Sequence, residues 1–122
     1  MRHGLAVMAV MAVGWYLLLP PMTNDPNDRM RWGEIHTDKP LSQWEHEGSF
    51  DTAERCDAER LRNWDRHRKE SAAAGKEAFE ANQAGTLTKR IDDKLHNMVW
   101  AEQQAFLGRC IATDDPRLKT LK

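Results

Sequence analysis

The two cysteines of this 122-residue chain lie at similar distances on either side of Gly85. Cys56 precedes the glycine by 29 residues, and Cys110 follows it by 25 residues. If two antiparallel helices meet at Gly85, a rise of about 1.5 Å per residue brings both cysteines to the open end of the hairpin, within about 6 Å along its axis. The spacing therefore predicts an all-α fold, an antiparallel two-helix hairpin clamped by a Cys56–Cys110 disulfide. Two unpaired buried thiols, or a disulfide to another chain, are the alternatives.

The residues before Gly85 have the pattern of an amphipathic helix. Asp51 and Glu54 have the spacing of a capping box, which predicts that the helix begins here. Gly85 suits the left-handed position that ends a helix. The apolar positions fall on one broad face at about 100° per residue; they are Ala53, Cys56, Leu61, Trp64, Ala72, Ala74, Ala78 and Phe79.

A second helix is predicted from Thr86 or Thr88 to Arg109. Its apolar residues recur at helical spacings; they are Leu87, Ile91, Leu95, Met98, Val99 and Phe106. The tail from Ile111 predicts a turn and then a short extended end, because Asp-Asp-Pro follows at 114–116.

The start of the chain predicts export. Leu5 to Leu19 is an uncharged run of 15 residues that follows Arg2 and ends at a Pro-Pro pair. As a helix it would span about 22 Å, which is short of the roughly 30 Å hydrocarbon layer but fits the apolar part of a secretory leader. Ala12 and Gly14 have the spacing of a cleavage site, which would place the cut before Trp15.

The competing interpretation keeps the segment as an anchor. Residues 1–19 would then form a short membrane helix, with Trp15 and Tyr16 at the far interface, where aromatic rings prefer to lie. In either case we expect the rest of the chain to be extracytoplasmic, in the periplasm or secreted, or held at the inner membrane by residues 5–19. An oxidising compartment would also allow a disulfide to persist.

Three regions follow from these patterns. Residues 1–19 are the leader or anchor. Residues 20–40 hold four of the five prolines and predict an extended linker without its own core. Residues 41–122 are the disulfide-stapled helical domain, in which Leu41 to Phe50 predicts a short strand or extended arm.

The distribution of charge argues against nucleic acid as a partner. The chain has 18 Lys and Arg against 19 Asp and Glu, a formal net charge of −1. The arginine-rich stretch from Glu54 to Glu70 nets only +1, because acidic residues are interleaved. This pattern is typical of a solvated helix face with ion pairs such as Asp65 with Lys69.

Residue types that carry catalysis or bind metals do not cluster. The histidines other than His3 are scattered, with no i, i+4 pair; they are His36, His46, His67 and His96. There is no Cys-x-x-Cys motif, and the adjacent carboxylates Asp92 and Asp93 would point about 100° apart on a helix. We predict no enzymatic activity, no metal site and no cofactor.

Five tryptophans are many for a chain of this length. One interpretation places Trp44 over the disulfide end and Trp64 in the seam of the hairpin. The other makes Trp32, Trp44 and Trp100 candidate contacts with a partner protein, because tryptophans often dominate interfaces.

Three blocks of the sequence form a recognisable set. They are the Trp-Tyr and Pro-Pro pairs of Trp15–Pro21, the Trp-Phe-Cys block within Pro40–Cys56, and the Arg-Cys and Asp-Asp-Pro-Arg block of Arg109–Lys119. Together they resemble a group of short, uncharacterised exported bacterial proteins. That group has no established activity, so the resemblance implies export and the cysteine pair but no function. It also implies that the leader ends just before Trp15.

We therefore expect a small, non-enzymatic exported module that is structural or binds a protein. The alternative is a single-pass accessory subunit of an inner-membrane complex, in which residues 1–19 pack among other membrane helices. A two-helix hairpin hides little apolar surface. Both hypotheses therefore predict a protein partner or self-association.

Overall fold

The computed structural model describes residues 13–23 and 34–119. The first twelve residues of the leader or anchor, the middle of the linker and the last three residues lie outside the described residues. In chain order the elements are β1 (Trp15–Leu19), β2 (Met22–Thr23), β3 (Glu34–Ile35), a 3-10 turn (Leu41–Gln43), β4 (Glu45–Phe50), α1 (Ala53–Gln83), α2 (Lys89–Phe106), β5 (Arg109–Ala112) and a second 3-10 turn (Pro116–Leu118).

Each helix begins at a threonine that caps it. Thr52 Oγ1 accepts a hydrogen bond from the backbone N–H of Arg55 (3.1 Å), and Thr88 Oγ1 accepts one from that of Ile91 (3.2 Å). Both bonds satisfy an amide that has no partner within its own helix. The capping residue of α1 is therefore Thr52 and not Asp51.

The two helices pack against each other as an antiparallel hairpin. Near its open end the rings of Trp64 and Phe106 lie 5.4 Å apart, and nearer the turn Lys94 Nζ lies 3.2 Å from Glu77 Oε1. The α1 side of the seam is built from small residues, so the helices can approach closely. Its buried apolar members past the midpoint of α1 are Ala74, Ala78 and Ala81.

Gly85 ends α1 in the left-handed conformation, with φ of 73°. A side chain strains this conformation, so we expect Gly85→Ala to lower the free energy of unfolding by about 1 kcal/mol. Gly75, in the interior of α1, gives a control of opposite sign. A Cβ there would meet Leu95 Cδ1 at 3.8 Å, an ordinary contact, and we expect Gly75→Ala to stabilise by about 0.5–1 kcal/mol. Urea denaturation checks both, and two changes of the same sign would contradict this assignment of the turn.

The all-α expectation is wrong, because the chain also forms two antiparallel sheets. Three strands pair in the order β4–β1–β5, and β2 pairs with β3. The central strand, Trp15–Leu19, is the end of the apolar run that the sequence analysis assigned to a leader or anchor. A strand buried on both faces has a continuous apolar sequence without alternation, which resembles the apolar part of a leader. The fold is therefore mixed, with helices and sheet.

The register places two faces of β1 in different surroundings. Leu17 pairs with Gly48 on one side and with Cys110 on the other, and it is fully buried. A bulge after Leu17 shifts the pairing with β4, so that Leu18 pairs with His46. Since successive side chains point to opposite faces, Leu17 lies on the disulfide side of the sheet and Leu18 on the other.

The face that carries Leu18 has its own apolar cluster. Its buried members are Leu18, Leu41, Trp44 and Ile111, against which Tyr16 and Leu118 pack. The two 3-10 turns supply Leu41 and Leu118, so they cover the face of the sheet that the helices leave open. The sheet is thus the middle layer of the fold.

The predicted Cys56–Cys110 disulfide is confirmed, with the two Cα atoms 6.1 Å apart. Cys56 lies in the first turns of α1 and is fully buried. Because α2 ends at Phe106, Cys110 belongs to β5 rather than to the end of a helix. The bond therefore joins the hairpin to the sheet.

The two ends of the linker are ordered by pairing. Met22 pairs with Ile35 and Thr23 with Glu34. The side-chain amide of Gln104 donates a buried hydrogen bond to the carbonyl of Pro20 (2.9 Å), which fixes the end of β1 against α2. The folded unit thus draws on residues 15–23 and 34–40 as well as on residues 41–119. No helix in the described ranges is long and apolar enough to cross a bilayer.

Candidate functional site

A pocket of about 260 Å³ opens beside the Leu18 face of the sheet. We call it the Trp44 pocket. Its lining residues come from the segment before β4, from β5 and from the second 3-10 turn; they are Thr37, Lys39, Pro40, Leu41, Trp44, Arg109 and Arg117. Apolar groups and three cationic side chains therefore meet at one place, although they are distant in sequence.

Local backbone structure holds Trp44 in this pocket. Pro40 precedes the first 3-10 turn with an extended backbone, and the N–H of Trp44 donates to the carbonyl of Leu41 (3.1 Å). The indole N–H of Trp44 donates to the carbonyl of Lys39 at 2.9 Å. Only 8% of the surface of Trp44 is exposed. Its indole lines the pocket and also packs in the apolar cluster with Leu18.

Arg109, one of the three cations of the pocket, lies in β5. The Arg109 guanidinium carbon is 6.0 Å from the centre of the Trp44 ring, within the range of a cation–π contact. Arg109 and Ile111 are two residues apart in β5 and so point to the same face of the sheet. The strand thereby places a charge at the rim of the cluster that Ile111 helps to fill.

Arg117 is held by Asp115. Asp115 Oδ1 accepts from the backbone N–H and from Nε of Arg117, and Oδ2 lies 2.8 Å from Nη2. Within the described part of the chain, neither Lys39 nor Arg109 forms an ion pair. The residues that line the Trp44 pocket include three cations and no carboxylate, and Asp115 beside it offsets part of the positive charge of both arginines.

The hydrogen bonds from Arg117 lower the pKa of Asp115 from its ordinary value of 3.8 to about 2. A depressed pKa means that the interaction stabilises the fold above the ordinary pKa and is lost as the pH falls through about 2. We expect Arg117→Gln to return the pKa of Asp115 toward 3.8. Carboxyl carbon NMR titration of both proteins measures this shift, and an unchanged pKa in the variant would contradict the assigned partner.

The tryptophans named as candidate partner contacts lie in different places. Trp44 is buried beside the pocket, and Trp100 lies on α2, partly buried. Trp32 lies outside the described residues. Trp64 packs on Phe106 in the hairpin seam. Trp44 thus lines a pocket together with cationic side chains.

Sequence reasoning missed the three cations of the pocket. Lys39 lies 70 residues before Arg109, and the strand register and the second 3-10 turn bring it together with Arg109 and Arg117. The sequence of β5 gives no local signal, because Arg-Cys-Ile-Ala does not alternate between polar and apolar residues.

Groups of three or more metal-ligating side chains are absent from residues 13–23 and 34–119. The described histidines have local partners instead. His36 Nε2 lies 2.9 Å from Thr23 Oγ1, and the ring of His46 packs edge-on against Tyr16 at 4.6 Å. The ion pair predicted between Asp65 and Lys69 is present at 3.0 Å.

Comparison with protein-family models, with curated proteins and with solved structures finds no match for this chain.

Proposed function

We propose that this chain is a small exported module that acts by binding another protein and carries out no catalysis. The observation that carries the export half of the proposal is the Cys56–Cys110 disulfide. Disulfides persist in oxidising compartments and are rare in the cytosol. The uncharged run from Leu5, preceded by Arg2, supports the same compartment.

The binding half rests on the surface that the fold builds. The helices pack on one side of the sheet and leave the Trp44 pocket open on the other, lined by three cations and no carboxylate. The disulfide of the fully buried Cys56 joins α1 to β5, the strand that contains Arg109. Such an arrangement favours a rigid binding surface, because the strand that presents the charge cannot separate from the hairpin.

A fusion of alkaline phosphatase after Lys122 tests the compartment. This reporter needs its own disulfides and is active only outside the cytoplasm, so the full-length fusion is expected to be active in whole cells. The matched control lacks residues 2–12 and is expected to be inactive at equal protein level. An inactive full-length fusion, or equal activity of the two, would contradict export.

One contact favours retention of the residues before Trp15, as in the second candidate, an accessory subunit of an inner-membrane complex. Because Trp15–Leu19 form the central strand of the sheet, a membrane anchor could include only residues that precede β1. Gly14 N–H donates to Thr113 Oγ1 (3.2 Å), and the N–H of Thr113 donates to the Gly14 carbonyl (2.9 Å). Cleavage before Trp15 would remove both bonds, whereas an uncut chain keeps them. The intact mass of the native protein distinguishes the two candidates. A mass that includes Met1, with co-purification in membranes, supports the subunit, and a mass that begins near Trp15 supports the soluble module.

A further inference from the structure

We propose that the Trp44 pocket binds the acidic side chain of a peptide segment in a partner protein. This inference rests on the proposed function and names the chemistry of the partner. The pocket has apolar walls, hydrogen-bond donors on its cationic side chains and an excess of positive charge.

The pocket is large enough for one side chain, and the proposed binding of a protein makes a side chain the expected occupant. Sites for drug-sized ligands have volumes of about 300–1,000 Å³, and this pocket has about 260 Å³. Three of its walls are apolar, formed by Pro40, Leu41 and the ring of Trp44. These surfaces suit the methylene groups of a side chain that enters from a peptide backbone outside.

The backbone groups of the walls are already bonded within the fold. The carbonyl of Lys39 accepts the indole N–H of Trp44, and the carbonyl of Pro40 accepts the N–H of Gln43 (2.9 Å). The side chains of Lys39 and Arg109 carry donors and no acceptors. These cationic donors favour a ligand group that presents acceptors and disfavour a cationic side chain.

Among ligand groups that carry hydrogen-bond acceptors, the positive charge of the pocket favours an anionic one. The Asp115 carboxylate accepts from Arg117 and also interacts with the charge of Arg109. The lining itself holds three cations and no carboxylate, so the pocket keeps an excess of positive charge. An ionised carboxylate accepts at both oxygens and matches the planar donors of a guanidinium. A glutamate side chain combines this head group with the methylenes that the apolar walls favour.

The experiment uses the oxidised chain, purified with its native N-terminus, and a pair of capped peptides. Acetyl-Leu-Glu-Leu-amide is titrated into the ¹⁵N-labelled protein, and acetyl-Leu-Gln-Leu-amide is the neutral isostere. The reporter is the indole N–H signal of Trp44, assigned with Trp44→Phe. We expect a saturable shift with a Kd on the order of 0.1–1 mM for the glutamate peptide, and binding at least tenfold weaker for the glutamine peptide.

Variants locate the site. Arg109→Gln and Lys39→Gln are each expected to weaken binding of the glutamate peptide at least fivefold. Arg90→Gln, which removes an exposed arginine from α2 outside the pocket, is expected to leave the Kd within twofold. An unchanged thermal midpoint in each variant shows that the fold is intact. Raising the ionic strength should weaken binding, because exposed charges are screened.

Further probes distinguish the source of the carboxylate. Acetate and inorganic phosphate alone are expected to bind more weakly than the glutamate peptide, and so is Leu-Gln-Leu with a free C-terminal carboxylate. Equal binding of the glutamate and glutamine peptides, tighter binding of any of these three probes, or an unchanged Kd in Arg109→Gln would overturn the proposal. Failure here with an active phosphatase fusion would reject the acidic ligand and leave export standing, whereas an inactive fusion would reject export whatever the peptides do.

Discussion

Reduction of the Cys56–Cys110 disulfide is expected to lower the free energy of unfolding by about 4 kcal/mol. The bond closes a loop of 54 residues and so restricts the unfolded chain. In the folded state it joins the first turns of α1 to β5, and through β5 to the central strand. Small domains are stable by only about 5–15 kcal/mol, so the loss would remove a large part of the total.

Urea denaturation followed by far-UV circular dichroism measures this loss, with and without reductant. The double variant Cys56→Ala with Cys110→Ala is the matched control, because reductant should change nothing further in it. Coincident transitions for the oxidised and reduced wild-type protein would show that the bond does not hold the hairpin and the sheet together.

Leu17→Ala is expected to destabilise the fold by about 2–5 kcal/mol. Leu17 is fully buried in the central strand, between Gly48 of β4 and Cys110 of β5. Its truncation leaves a cavity at the place where the sheet, the disulfide and α1 meet. The result also tests whether residues 15–19 belong to the folded unit, since a leader or anchor residue would contribute nothing to its stability.

Leu61→Ala on α1 is the matched control, because it removes the same atoms from a residue that is 45% exposed. Its expected effect is within about 0.5 kcal/mol. Thermal and urea unfolding of the two variants, with the disulfide intact in both, give the comparison. Similar losses of stability in the two variants, or a Leu17 variant as stable as the wild type, would contradict the central position of β1.

The helices could be predicted because their signals are local. Apolar residues at helical spacing, a glycine at a left-handed position and polar residues before the first turn all act within a few positions of the chain. The similar spacing of the two cysteines about Gly85 predicted one long-range contact, the Cys56–Cys110 disulfide. Two boundaries were wrong, since Thr52 and not Asp51 caps α1, and α2 ends at Phe106 rather than at Arg109. Four residues of the predicted apolar faces are also exposed; they are Leu61, Phe79, Leu87 and Phe106.

The sheet could not be predicted in the same way, because its pairings are non-local. Trp15 pairs with Phe50 and with Ala112, and neither partner is marked by a pattern near residue 15. A continuous apolar strand and the end of an apolar leader have the same composition. The two can be distinguished only by recognising the strands that pair with β1. One of these, β5, has only four residues, which is too short for a clear sequence pattern.

The Trp44 pocket could not be predicted either, because it also depends on contacts between residues that are distant in the sequence. The sequence pointed to Trp44 as an aromatic residue that contacts a partner or covers the disulfide end, but gave no reason to join it to Arg109 or Lys39. Those cations reach the pocket because β5 pairs with β1 and because the 3-10 turn places Trp44 against Lys39. The net charge of the whole chain is −1, and this value does not indicate the local excess of positive charge at the pocket.

The oxidation state of Cys56 and Cys110 in living cells bears most directly on an exported, disulfide-held module. Cells are quenched in acid, free thiols are alkylated before any reduction, and the intact mass of the chain is measured. The expected mass carries no alkyl group before reduction and two after reduction. A chain that carries two alkyl groups without reduction would show free thiols in the cell, and would contradict both the bond and the compartment inferred from it.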